Sequence, residues 1–298
     1  MNATYAREPI RAVEPPGSAV ENQTAHARRA WDSVAQAWAE RADAVDLHHV
    51  QVTTRMLQLA APHPGERVLE LACGAAGVGL AAAPLVGPGG VVVVSDIAGE
   101  MARIALARAR ANGIDNVSAC ELDLEDIAEP DESYDVVLCR DGLMFAADPA
   151  RALREIRRIL RPGGRVSVAV HGARERNPWL SVPFDVVGAE LRRPVPPPGV
   201  PGPFSLSDPD TQVRLLVDAG FTGVVNDEVA TTLHEDSFKT WWETISVCAA
   251  PLASMLAALP APAKSALLSR LEQASRAYRT PDGLELPGMT IVSAGSRS

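Results

Sequence analysis

The spacing of apolar positions changes from a helical period to a strand period early in the chain. Trp31, Val34 and Trp38 recur at three- and four-residue intervals, which predicts helices over residues 25–62. Beyond them, short apolar runs alternate with helical patterns. The run over 91–95 begins with four valines, as in a strand that is buried on both faces.

The middle of the chain predicts five strands, with helical patterns between most of them, over 67–71, 91–95, 117–121, 134–139 and 165–170. This alternation implies a parallel sheet with right-handed crossovers and helices on both faces. Two later apolar runs, over 222–231 and 289–293, bring the sheet to seven strands. The predicted fold class is therefore α/β, a Rossmann-like, doubly wound, mostly parallel seven-stranded sheet with a helical cap or lid.

Composition divides the chain into segments. The polar, proline-containing start is expected to be a flexible tail, and the stretch around VPPPGVPGP is expected to be a lid or an insertion rather than a core element. The predicted segments are the tail (1–24), N-terminal cap helices (25–62), a Rossmann-like cofactor-binding core (63–172), the lid (173–207), and a C-terminal part that completes the sheet and adds cap helices (208–298).

Charge and cysteine content exclude several classes of function. The formal net charge is -9, which argues against nucleic acid or an anionic membrane as a partner, because phosphate binding needs clustered Lys and Arg. The four cysteines form no C-x-x-C pair, so no metal site is expected. Without a signal peptide or an apolar run of about 20 residues, the expected location is the cytoplasm. A homodimer is one assembly that the sequence leaves open.

Polar and glycine residues fall at the predicted carboxyl ends of strands, where open α/β sheets bind their ligands. After the first strand comes ELACGAAG, in which Gly74 and Gly77 allow a tight turn and a close approach of backbone to ligand. Asp96 ends the second strand, and its carboxylate can accept both hydroxyls of a ribose. A glycine turn without a ligand and a simple N-cap aspartate are the alternatives.

Two further acidic positions separate the candidate cofactors. Glu70 precedes the glycine turn, where it would repel the pyrophosphate of a dinucleotide but favour the ammonium and sulfonium of S-adenosylmethionine. Asp123 follows the third strand and can accept from an adenine amino group, while Leu124 covers the ring. The alternatives are an exposed strand-end glutamate and an acidic loop.

The segments VLELACG, SDIAGEM, DLED, YDVVLCRDGLMF and EIRRILRPGGR closely resemble the successive motifs of class I S-adenosylmethionine-dependent methyltransferases. The branch related to ubiquinone and menaquinone biosynthesis methyltransferases is the most similar, over about residues 31–170. The resemblance implies a cofactor site formed by Glu70, Ala72, Gly74, Gly77, Asp96, Ile97, Met101, Asp123, Leu124 and Arg140. It also implies that Asp141 lies with Arg140 beside the methionine part of the cofactor and the substrate.

The chain departs from the family pattern at two positions. The family usually has Gly-x-Gly where this chain has Gly74-Ala75-Ala76, and a positive φ at Ala76 would cost roughly 1 kcal/mol or more. Gly77 is expected to take over the turn. The second departure is His171, at a position that is often Trp in related sequences.

Methyl transfer to a phenolic oxygen requires removal of a proton, and a histidine is the natural base near neutral pH. His171 is the first candidate because it ends the fifth strand, and His48 and His49 follow from their place on the cap helices. The alternatives are a polar strand-end residue and surface or packing histidines. The tryptophans outside the sheet are candidates for an apolar substrate pocket or for simple packing, namely Trp31, Trp38, Trp179, Trp241 and Trp242.

The predicted function is methyl transfer from S-adenosylmethionine to oxygen or carbon of a small aromatic, quinone-like or other secondary-metabolite molecule. Two alternatives remain at this point, an NAD(P)-dependent oxidoreductase and a cofactor-binding protein that has lost catalysis. The oxidoreductase requires a hydride-site pair such as Tyr and Lys, which is not found in the expected half of the chain.

Overall fold

A computed structural model describes residues 19–197, 199–257 and 259–298. The helices are α1 (Ala19–Asp32), α2 (Ala35–His48), α3 (Val50–Ala60), α4 (Gly77–Val86), α5 (Gly99–Ala111), α6 (Pro149–Ile159), α7 (Pro178–Leu191), α8 (Pro209–Asp218), α9 (Phe238–Cys248), α10 (Ala250–Ala257) and α11 (Ala261–Ser275). The strands are β1 (Arg67–Leu71), β2 (Val91–Asp96), β3 (Val117–Glu121), β4 (Tyr134–Arg140), β5 (Leu160–His171), β6 (Phe221–Glu235), β7 (Arg279–Thr280) and β8 (Gly283–Arg297).

The strands form one sheet in the order β3-β2-β1-β4-β5-β8-β6, and the short β7 pairs with β8. The first five strands are parallel, whereas β8 runs antiparallel to both of its main neighbours. The predicted doubly wound, mostly parallel sheet is confirmed, and its main path has the predicted seven strands. The sequence did not reveal β7, because a strand of two residues carries no apolar period.

Successive residues of the central strands face opposite layers of helices. Val68 and Val136 pack with α3 and α4, while their neighbours Leu69 and Val137 pack with α6 and α8. Both layers are buried, which accounts for the continuous apolar runs of these strands. The carboxyl ends of β1 and β4 lie side by side where the chain reverses its direction across the sheet, and this is the position at which such folds bind ligands.

Helix α1 begins at Ala19, within the range predicted as tail. The last helix-breaking residues before it are Pro15, Pro16 and Gly17, and the residues that follow are compatible with a helix. The rest of the predicted tail, over 1–18, lies outside the described residues. None of the helices in the described ranges is long and apolar enough to cross a membrane.

The range predicted as a lid contains a buried helix, α7. Its residues Trp179, Phe184 and Val187 form an apolar cluster with α9 and α11. Pro183 inside α7 has no N–H, so the carbonyl of Trp179 loses its helical partner. The indole N–H of Trp241 donates to that carbonyl at 3.0 Å. This pairing lets a proline-containing segment fold as a packed helix.

Candidate active site

The loop between β1 and α4 is held by left-handed backbone. Ala72, Gly74 and Ala76 have φ of 50°, 51° and 63°. The expectation that Gly77 takes over the turn is wrong, because Ala76 itself adopts the left-handed conformation and Gly77 begins α4. An alanine in this region costs roughly 1 kcal/mol or more, so the loop holds two strained residues.

Glu70 is buried at the end of β1, with its carboxylate at the start of α4. Its Oε2 accepts from the N–H of Gly79 at 2.8 Å. Burial raises the pKa of Glu70 to about 8, and nearby Arg140 opposes that rise. The carboxyl group of Glu70 already accepts a hydrogen bond from an N–H in the first turn of α4. The N-terminus of this helix is therefore not free to bind a pyrophosphate.

Asp96 joins the glycine loop to the start of α5. Its two carboxylate oxygens accept from the N–H of Gly74 at 2.9 Å and from the N–H of Ala98 at 3.0 Å. Burial raises the pKa of Asp96 to about 6, although these backbone donors oppose the rise. Of the neighbouring predicted residues, Met101 is buried in α5 and Ile97 is half-buried.

Asp123 and Leu124 lie in the half-buried turn after β3. The Oδ1 of Asp123 accepts from the N–H of Glu125 at 2.9 Å, and Leu124 packs against the apolar layer that contains α6. The turn is joined to the end of β2 by the N–H of Leu122, which donates to the carbonyl of Asp96 at 3.1 Å. The carboxyl end of β2, with Asp96, and the turn after β3, with Asp123, therefore lie side by side.

Helix α2 packs directly on the glycine loop. A Cβ added at Gly74 would lie 3.3 Å from two ring carbons of Trp38. A Cβ added at Gly77 would overlap Asp46 and would lie 2.9 Å from Nη2 of Arg140. Both glycines are therefore required for close packing of α2.

Asp46 links α2 to two other elements through arginines. It accepts from Nη2 of Arg140 at 3.1 Å and from Nη1 of Arg108, on α5, at 2.6 Å. The side chain of Arg140 is only 8% exposed and also donates to Oγ1 of Thr53 at 2.7 Å. Asp46, Arg108 and Thr53 are not predictable from the sequence, because their partners lie at least 60 residues away and no local motif marks them.

Two of the three candidate histidines face one side chain, Asp141, immediately after β4, and the third packs against one of them. Nε2 of His49 lies 3.2 Å from Oδ2 of Asp141, and Nδ1 of His171 lies 3.5 Å from Oδ1. The ring of His48 lies 4.6 Å from that of His49. The members of this histidine–aspartate cluster come from separate segments, since Asp141 follows β4, His171 ends β5, His48 ends α2 and His49 connects α2 to α3.

Burial and neighbouring charges shift the pKa values of Asp141 and His171 in opposite directions. Burial disfavours the charged form of Asp141, but His171, His49 and Arg140 outweigh it and hold its pKa below the ordinary value. Burial lowers the pKa of His171, against the attraction of Asp141. Burial and the neighbouring His49 lower the pKa of His48 to about 3. At neutral pH the arrangement holds an ionised carboxylate beside the uncharged imidazole of His171.

Aromatic rings border the cluster. The ring of Trp179 lies 5.1 Å from His48 and 5.2 Å from His171, both edge to face, and Phe204 lies 6.4 Å from His171. Trp179 was one of five tryptophans considered for a pocket, whereas Phe204 was not identified. Its proline- and glycine-rich segment gave no periodic signal.

The glycine loop and the histidine–aspartate cluster are adjacent. A Cβ added at Gly142, which follows Asp141, would collide with the side chain of Ala72 and would lie 2.8 Å from Sγ of Cys139. A ligand on the loop would thus end beside a carboxylate and an imidazole. Among the described residues, no group of three or more His, Cys, Asp and Glu side chains is arranged to hold a metal ion.

A family model described as a methyltransferase domain matches residues 62–188. A ubiquinone/menaquinone biosynthesis C-methyltransferase, UbiE, from Hahella chejuensis is 31% identical over 169 residues, which cover 56% of this chain and 68% of that protein. Nocamycin O-methyltransferase from Saccharothrix syringae is 42% identical over 118 residues, covering 39% of this chain and 42% of that protein. UbiE of Hahella chejuensis is covered over two thirds of its length. Of other curated relatives that it matches, the chain spans about half the length or less.

Solved structures share the fold at low sequence identity. The YcgJ protein from Bacillus subtilis superposes with a TM-score of 0.58 at 20% identity, covering 84% of this chain and 99% of that one. Phosphoethanolamine N-methyltransferase 2 from Haemonchus contortus, in complex with S-adenosyl-L-methionine, gives a TM-score of 0.51 at 18% identity, over 83% of this chain and 52% of that one.

Proposed function

The chain belongs to the class I S-adenosylmethionine-dependent methyltransferases, in the branch related to the ubiquinone/menaquinone biosynthesis C-methyltransferases, and from that membership we propose its acceptor and its base. The acceptor is a small aromatic, quinone-like or other secondary-metabolite molecule, methylated on oxygen or carbon. The observation that carries this proposal is the placement of His171 and Asp141 beside the glycine loop.

The residues proposed to hold the cofactor are Glu70, Ala72, Gly74, Gly77, Asp96, Ile97, Met101, Asp123, Leu124 and Arg140. Carboxylates and close-packed backbone suit a cofactor that carries an ammonium and a sulfonium but no phosphate. The contact of Glu70 with the first turn of α4 supports this assignment over a dinucleotide. Bound S-adenosylmethionine supplies an activated methyl group, so the protein has to align the acceptor and exclude water.

His171 is the proposed base. Burial keeps its ring uncharged at neutral pH, so a ring nitrogen can take the proton of an acceptor hydroxyl. His48 and His49 are the other two candidates, and both reach the same cluster. The relatives' names include both a C-methyltransferase and an O-methyltransferase, so both kinds of acceptor atom remain in the proposal.

We also propose that the partner is a free small molecule rather than nucleic acid, and that the protein acts in the cytoplasm. The acidic net charge supports the first point. The four cysteines are free thiols, which supports a reducing compartment. The homodimer stays a prediction.

An acceptor screen tests the proposal. Phenols, hydroquinones and prenylated quinones are incubated with methyl-labelled S-adenosylmethionine, and labelled product is measured. His171→Ala is expected to lower kcat on the best acceptor by about 10²-fold or more while leaving the affinity for S-adenosylhomocysteine nearly unchanged. Because the pKa of His171 lies below its ordinary 6.5, wild-type kcat/KM is expected to fall only at pH values below that figure.

The control is His63→Ala, which removes an exposed histidine outside the site and is expected to leave kcat unchanged. Unaltered turnover in His171→Ala would exclude His171 as the base. Absence of labelled product across the whole screen would count against the proposed acceptor class.

A further inference from the structure

The carboxylate of Asp141 lies between two imidazoles, one on each oxygen. Oδ2 lies 3.2 Å from Nε2 of His49, and Oδ1 lies 3.5 Å from Nδ1 of His171. The second separation exceeds that of a hydrogen bond. Both atoms of that second pair are buried, and neither has a hydrogen-bond partner among the described residues. A hydrogen bond between these two atoms, after a small adjustment, would satisfy both of them.

The first of the two imidazoles is itself fixed. Nδ1 of His49 lies 2.9 Å from the carbonyl of Val45, so His49 is tied to α2 through one nitrogen and faces Asp141 with the other. The backbone fixes Asp141 as well, since it adopts a left-handed φ of 58° immediately after β4. The N–H of Asp141 donates to the carbonyl of Ala169, on β5, at 2.8 Å. The carboxylate is thereby held in place before a ligand arrives.

An ionised carboxylate only accepts hydrogen bonds, so an imidazole that faces it presents an N–H. On His171 the facing atom is Nδ1. A neutral imidazole with its proton on Nδ1 has its lone pair on Nε2, so Nε2 is the nitrogen that can accept a proton. Which nitrogen of His171 can act as a base is therefore decided by Asp141.

We propose that Asp141 is a positioning residue, which bridges His49 and His171 and holds His171 in the tautomer that leaves Nε2 free to take a proton from the acceptor. The kinetic part of this inference rests on the proposed role of His171 as the base. The tautomer itself does not depend on that role. In this arrangement His49 anchors the carboxylate, and His171 is the only member of the pair that exchanges a proton with the acceptor.

The charged and titratable groups around the bridge come from several elements. Arg140 and Cys139 belong to β4, and Glu70 to β1, while His48 and His49 come from the end of α2 and its connection to α3. The attraction of Asp141 raises the pKa of His171 against the lowering caused by burial and by His49. Removing the charge of Asp141 should consequently lower the pKa of His171 further.

The tautomer can be read directly by nitrogen-15 NMR of the full chain labelled at histidine, with and without S-adenosylhomocysteine. The His171 resonances are assigned by their loss in His171→Gln. At pH 7.5 we expect Nδ1 of wild-type His171 to carry the proton. In Asp141→Asn, which keeps the size of the side chain and tolerates the left-handed backbone, we expect that preference to be lost.

Kinetics on the best acceptor of the screen provide the second readout. Asp141→Asn is expected to lower kcat by about 10²-fold or more, and to move the acid limb of kcat/KM to lower pH, with the affinity for S-adenosylhomocysteine unchanged. Asp135→Asn is the matched control, since Asp135 lies at the other end of β4 and its side chain is 20% exposed against 18% for Asp141. It should alter neither the tautomer nor the pH profile.

A wild-type His171 with its proton on Nε2, or a tautomer that is the same in Asp141→Asn, would overturn the inference. A fall in kcat without any movement of the acid limb would also contradict it, because a merely structural loss leaves the pKa of the base in place. If no acceptor is methylated, the proposed acceptor class fails, but the tautomer measurement still decides the role of Asp141.

Discussion

At Gly77 three elements come so close together that only a hydrogen atom fits in place of a side chain. The residue begins α4, and a Cβ there would overlap Asp46 of α2 and approach Nη2 of Arg140 from β4. Its φ is not in the left-handed region, unlike that of Gly74, so the requirement for glycine is one of space alone.

Gly77→Ala is therefore expected to break the contact between Asp46 and Arg140. Overpacking of this kind costs about 1–3 kcal/mol in free energy of unfolding. The same displacement of α2 should weaken binding of S-adenosylhomocysteine. Both quantities can be measured, by urea denaturation and by calorimetry. Gly89→Ala is the matched control, because its added Cβ has only one neighbour, at 4.0 Å, and an unchanged stability in Gly77→Ala would contradict the geometry.

Single residues were predictable where the chemistry is local to a strand end. Glu70, Asp96 and Asp123 could be identified because each follows an apolar run directly. The left-handed Ala76 could be suspected but its conformation could not, since an alanine gives no sign that its backbone is strained. Asp46 and Phe204 were missed because their partners are supplied by segments far away along the chain.

At the level of elements, α2 is held to the core by charge as well as by apolar contact. Arg108 of α5 donates to two aspartates of α2, to Asp46 and to Asp43, both at 2.6 Å. The side chain of Asp46 is 28% exposed, whereas that of Asp43 is 97% exposed. The two pairs have the same length but differ in their exposure to water, which screens charge.

Asp46→Asn and Asp43→Asn are therefore a matched pair of variants. Asp46→Asn should lower the free energy of unfolding by about 1–2 kcal/mol and increase amide hydrogen exchange in α2, because it weakens two charged hydrogen bonds. Asp43→Asn should change neither quantity measurably. Equal effects of the two substitutions would show that burial does not distinguish these pairs.

The junction of β1 with α4 makes stability depend on pH through Glu70. Its folded-state pKa of about 8 lies above the ordinary value of 4.5, so between these values the folded protein binds a proton that the unfolded chain has lost. Stability from this group is complete below pH 4.5 and is lost as the pH rises towards 8. Asp96 acts in the same direction, over the window from 3.8 to about 6.

Glu70→Gln is expected to flatten this dependence, because an amide does not titrate. Urea denaturation at pH 5 and pH 8 should show a smaller loss of stability in the variant than in the wild type. Glu66→Gln is the control: the hydrogen bonds from Arg165 and His63 outweigh burial and lower the pKa of Glu66, so it stays ionised across this window. A wild-type loss that persists unchanged in Glu70→Gln would mean that other groups cause it.

Elements of the central sheet could be predicted because period and composition agree there. The C-terminal strands were predicted too short, since β8 extends over Gly283–Arg297 and contains Pro287 and Gly288 at positions that read as a break. The cap helices expected in the C-terminal part include two that follow each other directly, α9 and α10, and Pro251 in the first turn of α10 accounts for the new start. In β8 tertiary pairing outweighs the local signal, whereas the start of α10 follows the local signal of Pro251.

For the molecule as a whole, the order of the strands brings the site together. Because the chain adds β2 and β3 on one side of β1 and β4 and β5 on the other, the ends of five parallel strands share one edge. Helix α2 and the rings of Trp179 and Phe204 then cover that edge. Cofactor binding at such a junction joins several elements, so it should stabilise the folded state as a unit.

Thermal unfolding can test this coupling. S-adenosylhomocysteine at about 100 times its Kd should add about 2.7 kcal/mol, which raises Tm by about 4 °C, whereas NADH should leave Tm unchanged. Asp96→Asn, measured against its own ligand-free Tm, should lose about half of the increase if its affinity falls tenfold. Asp126→Asn, which changes an exposed residue of the loop after β3, should keep the full increase in Tm. A rise with NADH alone would contradict the assignment of the cofactor, and a full rise in Asp96→Asn would exclude that carboxylate from the site.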